Sequence, residues 1–272
     1  MRKIYFVKYY DKGSTIMGAD QIAEALQERG VEAWSVYPRD VRHVKDAILV
    51  FIKTSKLPDL VRARLNRNRT VLDVQDTVVF KRRIKNAWLF DGAIFKNERQ
   101  LRDFSRPGWN SRVVYHQWDP RYLPHQAGDR ELRVAYLGTE RSIPEGWGGM
   151  GGVPCHGDDY FRVGLEYNCH VSVREPGKDF LYKPNCKVST AAACEANLIT
   201  TRDESALEML GPDYPFYIEP TLESLREGIE KARAAIGGPD WQRGLEKMRE
   251  IRERTSIQRI LDDYLDYFES LG

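Results

Sequence analysis

Lys183–Met209, KPNCKVSTAAACEANLITTRDESALEM, is the stretch on which the fold turns. Its middle, Val188 to Ala196, holds almost only small side chains. Such residues let a helix lie very close to a sheet or a ligand. Lys183-Pro184-Asn185 reads as a turn, so the helix is expected to begin near Cys186 or Lys187, with Lys187 in its first turn. A cation there opposes the helix dipole, and an anion near the helix start would give it a reason to be present. Asn197–Thr201 then reads as a short buried strand, and Arg202-Asp203-Glu204-Ser205 as the capped start of a second helix through Leu210. An ordinary βαβ crossover whose alanines serve packing accounts for the same stretch, so the two readings are separated only by the rest of the chain.

A chain of 272 residues forms one large domain or two of ordinary size. Hydrophobic residues make up 42% and charged residues 30%, a globular balance rather than a disordered or membrane one. The net charge of +2 places no global demand for a nucleic-acid partner. Met1–Lys8 is basic and then apolar, but Lys8 cuts the run too early for a signal peptide, and no other segment approaches a membrane span. The four cysteines include no CxxC pair. In Cys155-His156 and Cys169-His170, strand neighbours point to opposite faces and cannot easily share an ion, so no metal site is expected and reduced thiols fit better.

Ile4–Tyr10 is a strand candidate. Asp11-Lys12-Gly13-Ser14 follows, and Gly18 is expected to open a helix carrying Ile22, Ala23 and Leu26 up to Arg29-Gly30. A glycine-containing loop after a first strand suits a ligand at the strand's C-terminal edge, although that loop carries no GxGxxG. Further strands are expected at Val31–Tyr37, Ala47–Ile52, Thr70–Val74, Phe90–Phe95 and Val113–His116, with helices at Asp59–Leu65 and Asn97–Phe104. Two basic clusters stand out, Arg62, Arg64, Arg67 and Arg69, then Lys81, Arg82, Arg83 and Lys85. His125–Glu131 is polar and carries Gly128, which marks the linker. Beyond it come strands at Leu132–Leu137, Val163–Val173 and Phe216–Ile218, a glycine-rich loop at Gly146–Gly152 that reads as a lid or a surface turn, and three amphipathic helices. Strands alternating with helices argue for parallel, doubly wound sheets.

The order of lysine, small-residue helix, short strand and acidic helix start resembles the donor-binding half of GT-B glycosyltransferases (family 4/family 1-like). Other pieces resemble the family in sequence order. Val71–Asp76 resembles the strand that often ends in His-Asp, with Gln75 in place of the His. Asp119, Tyr122 and Pro124 match the end of the first domain, whereas His116-Gln117-Trp118 departs from it. The family's Glu-x7-Glu motif survives only loosely as Glu195 and Asp203, and its usual glycine after the Ala-rich helix is Glu195-Ala196-Asn197. The resemblance implies an α/β chain with two Rossmann-like domains facing across a cleft, 1–127 for the acceptor and 128–272 for the nucleotide sugar, and a C-terminal helix crossing back to the first domain.

It also implies a metal-independent hexosyltransferase that needs no cofactor beyond its nucleotide-sugar cosubstrate. Such an enzyme moves a sugar from a nucleotide-diphosphate donor to a glycan, lipid-linked or other hydroxyl acceptor, in bacterial-type surface polysaccharide or glycoconjugate synthesis. Negative charge grows on the leaving diphosphate, so cations and a helix N-terminus there lower the barrier. Lys183 and Lys187 are the candidates, with Gly138, Arg141 and Arg174. Ser189 and Thr190 would offer hydroxyls or helix-start amides, and Glu204 would accept from ribose or sugar hydroxyls. Catalytic roles are expected for Lys187, Asp76 and Lys183, Asp76 as general base, although an N-cap or turn role also explains Asp76. Asp11, Gly13, Ser14 and His116 are expected on the acceptor side. Two other readings stay open: a nucleotide-sugar epimerase on the same architecture, and a non-enzymatic anion- or nucleic-acid-binding protein using the basic clusters. Those clusters also fit peripheral contact of a cytoplasmic protein with an anionic membrane. No sequence-specific nucleic-acid partner is expected.

Overall fold

Ile48-Leu49-Val50-Phe51-Ile52 is buried along its whole length. Ile48, Val50 and Ile52 pack into one apolar cluster and Leu49 and Phe51 into another. A strand apolar on both faces needs both faces covered, which is the condition of a parallel sheet in an α/β layer structure. The computed structural model describes residues 2–76, 84–126, 128, 130–138, 146, 152–155, 161 and 164–272. Two compact units emerge: Met1–Gln117 with Tyr182–Pro184 and Ile257–Gly272, and Trp118–Leu181 with Asn185–Ser256. The chain first passes between them at Gln117/Trp118, whereas the resemblance implied a division at 127/128. Trp118 belongs with the second unit because its indole Nε1 donates to the Arg252 carbonyl at 2.9 Å and its amide to Thr255.

In the first unit, β1 (Ile4–Val7), β2 (Ala33–Val36), β3 (Ile48–Ile52), β4 (Arg69–Asp73), β5 (Gly92–Phe95) and β6 (Asn110–Val113) form one sheet in the order β2-β1-β3-β4-β5-β6. Every pairing is parallel. The first helical stretch runs as α1 (Gly13–Thr15), a π turn over Ile16–Gln21, and α2 (Ile22–Glu28). Gly18 therefore lies inside it rather than opening it. A Cβ at Gly18 would sit 2.8 Å from Gln75 Nε2, so the glycine serves close approach. α3 (Leu57–Leu65) and α4 (Glu98–Phe104) follow, the latter capped by Asn97, whose side chain accepts from the Gln100 amide at 2.7 Å. β6 starts and ends three residues before the expected Val113–His116. It is an edge strand, so polar Asn110, Ser111 and Arg112 are tolerated there.

The second unit has β7 (Val134–Leu137), β8 (Gly152–Cys155), β9 (Cys169–Ser172), β10 (Asn197–Thr201) and β11 (Tyr217–Ile218), in the order β11-β10-β9-β7-β8. These pairings are also all parallel. β8 was hidden in sequence by its glycines and Pro154; proline cannot donate to a ladder and is tolerated on an edge. The long strand expected over Val163–Val173 contracts to β9. α5 (Lys178–Tyr182) leads to α6 (Cys186–Ala193), the small-residue helix, whose Val188, Ser189 and Ala191–Ala193 are buried. Glu195 ends it with φ 51°, the left-handed conformation in which a glycine would be unstrained, and its carboxylate is held by Arg252 at 3.1 Å. α7 (Glu204–Leu210), α8 (Leu222–Ala235) and α9 (Pro239–Arg254) complete the unit.

The last helix, α10 (Ile257–Glu269), belongs to the first unit, as the crossover expectation required. Tyr264 and Phe268 meet the Phe6 ring edge-on at 6.0 and 6.1 Å. Tyr264 also donates to Asp73 Oδ2 at 2.8 Å, and Lys96 Nζ donates to the same oxygen at 3.0 Å. Gln75 Nε2 donates to Asp73 Oδ1 at 3.0 Å, so the buried carboxylate is well supplied with donors. Among the described residues no helix is long and apolar enough to cross a membrane. Removing one partner of a buried pair strands the other charge, so Asp73→Ala is expected to cost roughly 3–5 kcal/mol. Tyr264→Phe, which removes one hydrogen bond, should cost only about 1 kcal/mol. Urea unfolding of both variants checks the ranking; equal small losses would refute it.

Candidate functional site

β7 is flanked by β8 on one side and β9 on the other, so the strand order reverses there. In open α/β sheets the carboxyl ends of strands at such a reversal form a ligand crevice. Gly138 is the first residue after β7, and a Cβ on it would lie 2.5 Å from Lys187 Nζ and 2.6 Å from the Tyr136 ring. The missing side chain is thus what admits the lysine. Lys187, the second residue of α6, places its Nζ 4.1 Å from the centre of the Tyr136 ring. That ammonium is buried and makes no hydrogen bond to any described group. Burial, reinforced by the positive charge of Arg174, brings the Lys187 pKa down to about 7.

Arg174 follows β9, and its Nη1 donates to Asp203 Oδ1 at 2.8 Å. Asp203 also caps α7 by accepting from the Ala206 amide at 3.1 Å. Its burial pushes the carboxyl pKa up against the pull of Arg174. Arg174 therefore adds positive potential near Lys187 while its guanidinium is engaged by Asp203. Glu204 is the first residue of α7. Ser189 does not offer a helix-start amide: that amide donates to the Asn185 carbonyl at 2.9 Å, and its hydroxyl accepts from the Asn185 side chain. Thr190 is half-buried on the same helix. Arg141 lies outside the described residues, as do Asp158 and Asp159. Lys183 groups with the first unit, where its carbonyl accepts from Asn97 Nδ2 at 3.2 Å.

His170, on β9, was weighed in sequence only beside Cys169 as a metal ligand and not as part of this site. It is 2% exposed, its Nε2 has no hydrogen-bond partner, and burial followed by the charge of Lys187 drives its pKa down to about 3. A neutral imidazole here adds polarity without a second charge. Strand alternation separates His170 from Cys169, but it does not reveal that the histidine's face meets a buried ammonium.

The expected acceptor-side residues lie in the first unit. Asp11 pairs with Lys8 at 2.8 Å and accepts from the Tyr37 hydroxyl; Lys8 first and Tyr37 second hold its carboxyl below the usual range. Gly13 opens α1 with no neighbour around a built Cβ, and Ser14 is next to it. Asp76 pairs with Lys53 at 2.9 Å. His116 is buried with Nδ1 3.1 Å from the Gln117 carbonyl, and desolvation together with Lys96 lowers its pKa to about 4. Arg64 and Arg69 pair with Asp91, Arg67 with Asp46, and Arg62 with Asp59. Lys81, Arg82 and Arg83 lie outside the described residues. Among the described residues no three His, Cys, Asp or Glu side chains gather as a metal-binding group.

The buried ammonium has a testable consequence for stability. The unfolded lysine keeps its proton up to about 10.5, whereas the folded one releases it near 7. The unfolded state binds more protons between these values, so stability should rise with pH across that window. Lys187→Met should stabilise the ligand-free protein by roughly 1–3 kcal/mol below pH 7, the scale of an unsatisfied buried polar group. The gain should shrink toward pH 10. Melting curves at pH 6, 8 and 10 read this, and a variant less stable than wild type at pH 6 would contradict it.

No family model matches the chain, and no curated protein matches it in sequence. Its fold nevertheless has solved counterparts along its whole length. Sucrose-phosphate synthase from Thermosynechococcus elongatus is similar with a TM-score of 0.68 at 12% identity, covering 100% of this chain and 99% of that one. Anabaena HepE in complex with UDP and glucose gives 0.66 at 10% identity, covering 99% and 100%. AviGT4, a glycosyltransferase involved in avilamycin A biosynthesis, gives 0.63 at 11% identity, covering 100% and 98%. With two all-parallel sheets, a final helix that joins the first unit, and counterparts that are GT-B glycosyltransferases, the chain has the GT-B fold.

Proposed function

We propose that the chain is a glycosyltransferase that moves a hexose from a nucleotide-diphosphate sugar to a hydroxyl acceptor, a glycan or lipid-linked saccharide of surface polysaccharide or glycoconjugate synthesis. One observation carries this reading: the partnerless, buried Lys187 ammonium beside Gly138 at the strand-order reversal of the second unit. A buried cation without a counter-ion is a poor structural element and a good anion receptor. The solved counterpart HepE holds UDP and glucose, and a nucleoside diphosphate is an anion of the kind Lys187 lacks.

In the reaction, the bond between the sugar's anomeric carbon and the diphosphate oxygen breaks, and a bond to the acceptor oxygen forms. The nucleoside diphosphate leaves with the electron pair, and the acceptor's proton passes to a base, a role we assign to Asp76. Lys187 faces the growing charge on the leaving group, so its contact strengthens toward the transition state. Gly138 leaves the room that ammonium occupies. Arg174 and Arg141 add positive potential, Lys183 supports the donor phosphates, and Thr190 and Glu204 serve donor hydroxyls and phosphate. Asp11, Gly13, Ser14 and His116 serve the acceptor. Because protein cations answer the diphosphate charge, transfer proceeds without a divalent ion. A cytoplasmic enzyme, in peripheral contact with the inner membrane face when its acceptor is lipid-linked, fits this chemistry.

The test is release of UDP from UDP-glucose, and of the other nucleoside diphosphates from their sugars, by the purified chain with and without chelator. Lys187→Ala should fold, bind nucleoside diphosphate more weakly and lose turnover by at least ~100-fold, the scale of removing one preorganised donor. Lys187→Arg should restore only part, because its planar fork is larger and differently hydrated. Near-normal transfer by the alanine variant would reduce Lys187 to a structural lysine.

A further inference from the structure

A cavity of about 600 Å³ opens in the first unit at the carboxyl ends of β1, β2 and β3. That volume lies within the range of small-ligand sites. Tyr9, Tyr37 and two prolines give it flat apolar walls, and Arg39, Arg42 and Lys56 line it with positive charge. Its single carboxylate, Asp59, accepts from the Tyr9 hydroxyl at 2.7 Å. Arg39 meets Asp40 at 3.6 Å as an exposed pair, a weak claim on its charge. Among the described residues Arg42 and Lys56 have no ion-pair partner, although Arg62, Arg64, Arg67 and Arg69 nearby in sequence each have one. Lys56 Nζ instead lies 5.4 Å from the Tyr9 ring centre, and Arg39 Cζ 5.8 Å from that of Tyr37. The arginines from 62 to 69 are thus paired with carboxylates, whereas Arg42 and Lys56 stand without an ion pair where aromatic rings line a space of ligand size.

We infer that this cavity seats a negatively charged sugar residue of the acceptor, a uronate or a sugar phosphate, with Arg42 and Lys56 on its acid group and the tyrosine rings against its apolar face. The inference rests on the transferase reading. A concave space fits one or two sugar rings better than the flat surface of a membrane, and the excess of cations over carboxylates excludes a neutral acceptor as the best match. Arg42→Ser with Lys56→Ser leaves the fold intact: both side chains are exposed, the Arg42 carbonyl still accepts from Asn66, and serine suits position 56, the residue that caps α3.

The experiment titrates the full chain with glucuronic acid, glucose 6-phosphate and glucose by ligand-observed NMR, and with UDP by calorimetry, for wild type and the double variant. At least one acid should bind roughly tenfold or more tighter than glucose, weaken with added salt, and fall to the glucose level in the variant while UDP affinity is unchanged. Whether the uronate or the phosphate shows this separates the two sources of charge. Equal binding of glucose and the acids, retention of acid binding by the variant, or loss of its UDP affinity would overturn the inference. So would sedimentation with phosphatidylglycerol vesicles that depends on the same two residues. A wild-type chain that binds the acids but not UDP overturns the transferase reading and the acceptor role with it. One that binds UDP but neither acid overturns this inference alone.

Discussion

An ammonium held out of water without a counter-charge is the constraint around which the second unit is arranged. Desolvation favours the neutral amine, and nothing described hydrogen-bonds to Lys187. Three local features allow the arrangement. Gly138 has no side chain to collide with Nζ, and the Tyr136 ring offers a π face at 4.1 Å. The alanines of α6 bury that helix closely. Each would be unremarked alone, yet together they keep one cation dry at the point where an α/β sheet takes its ligands.

The first unit shows what a satisfied buried lysine looks like. Lys96 is deeply buried, at 2% exposure, but it reaches Asp73 at 3.0 Å. Asp73 takes a further hydrogen bond from Tyr264 of α10. That network tethers the last helix to the first sheet, and its donors and acceptor match. Lys96 is therefore explained by structure alone, as are Arg64 and Arg67 with their aspartates. The Lys187 ammonium has no such partner among the described residues. Arg42 and Lys56 are likewise without an ion pair, and they line the first unit's cavity.

Much of this was legible in the sequence because period and composition are local. The alternation of strands with helices announced parallel sheets, and the small residues and unfavourable charge of Lys187 announced a crowded helix start. Asp203 was recognisable as a cap. What sequence could not supply was three-dimensional company. Gly18 looked like a helix opener and is a point of close approach to Gln75. β6 and β8 are short edge strands, where polar residues and Pro154 obscure the alternating pattern. Ser189 looked available at a helix start, but Asn185 satisfies it. His170 gave no periodic signal at all, since its importance comes from Lys187, seventeen residues away in sequence.

The central claim is that Lys187 awaits an anion, and proton uptake on binding tests it most directly. At pH 8 most of the ligand-free lysine is neutral if its pKa is about 7, and a diphosphate beside it would restore the charged form. Calorimetric titration with UDP in buffers of different ionisation enthalpy should show uptake of close to one proton by the wild-type chain at that pH, and almost none by Lys187→Met. Binding of UDP with no proton uptake by the wild type, or with equal uptake by both proteins, would contradict the account.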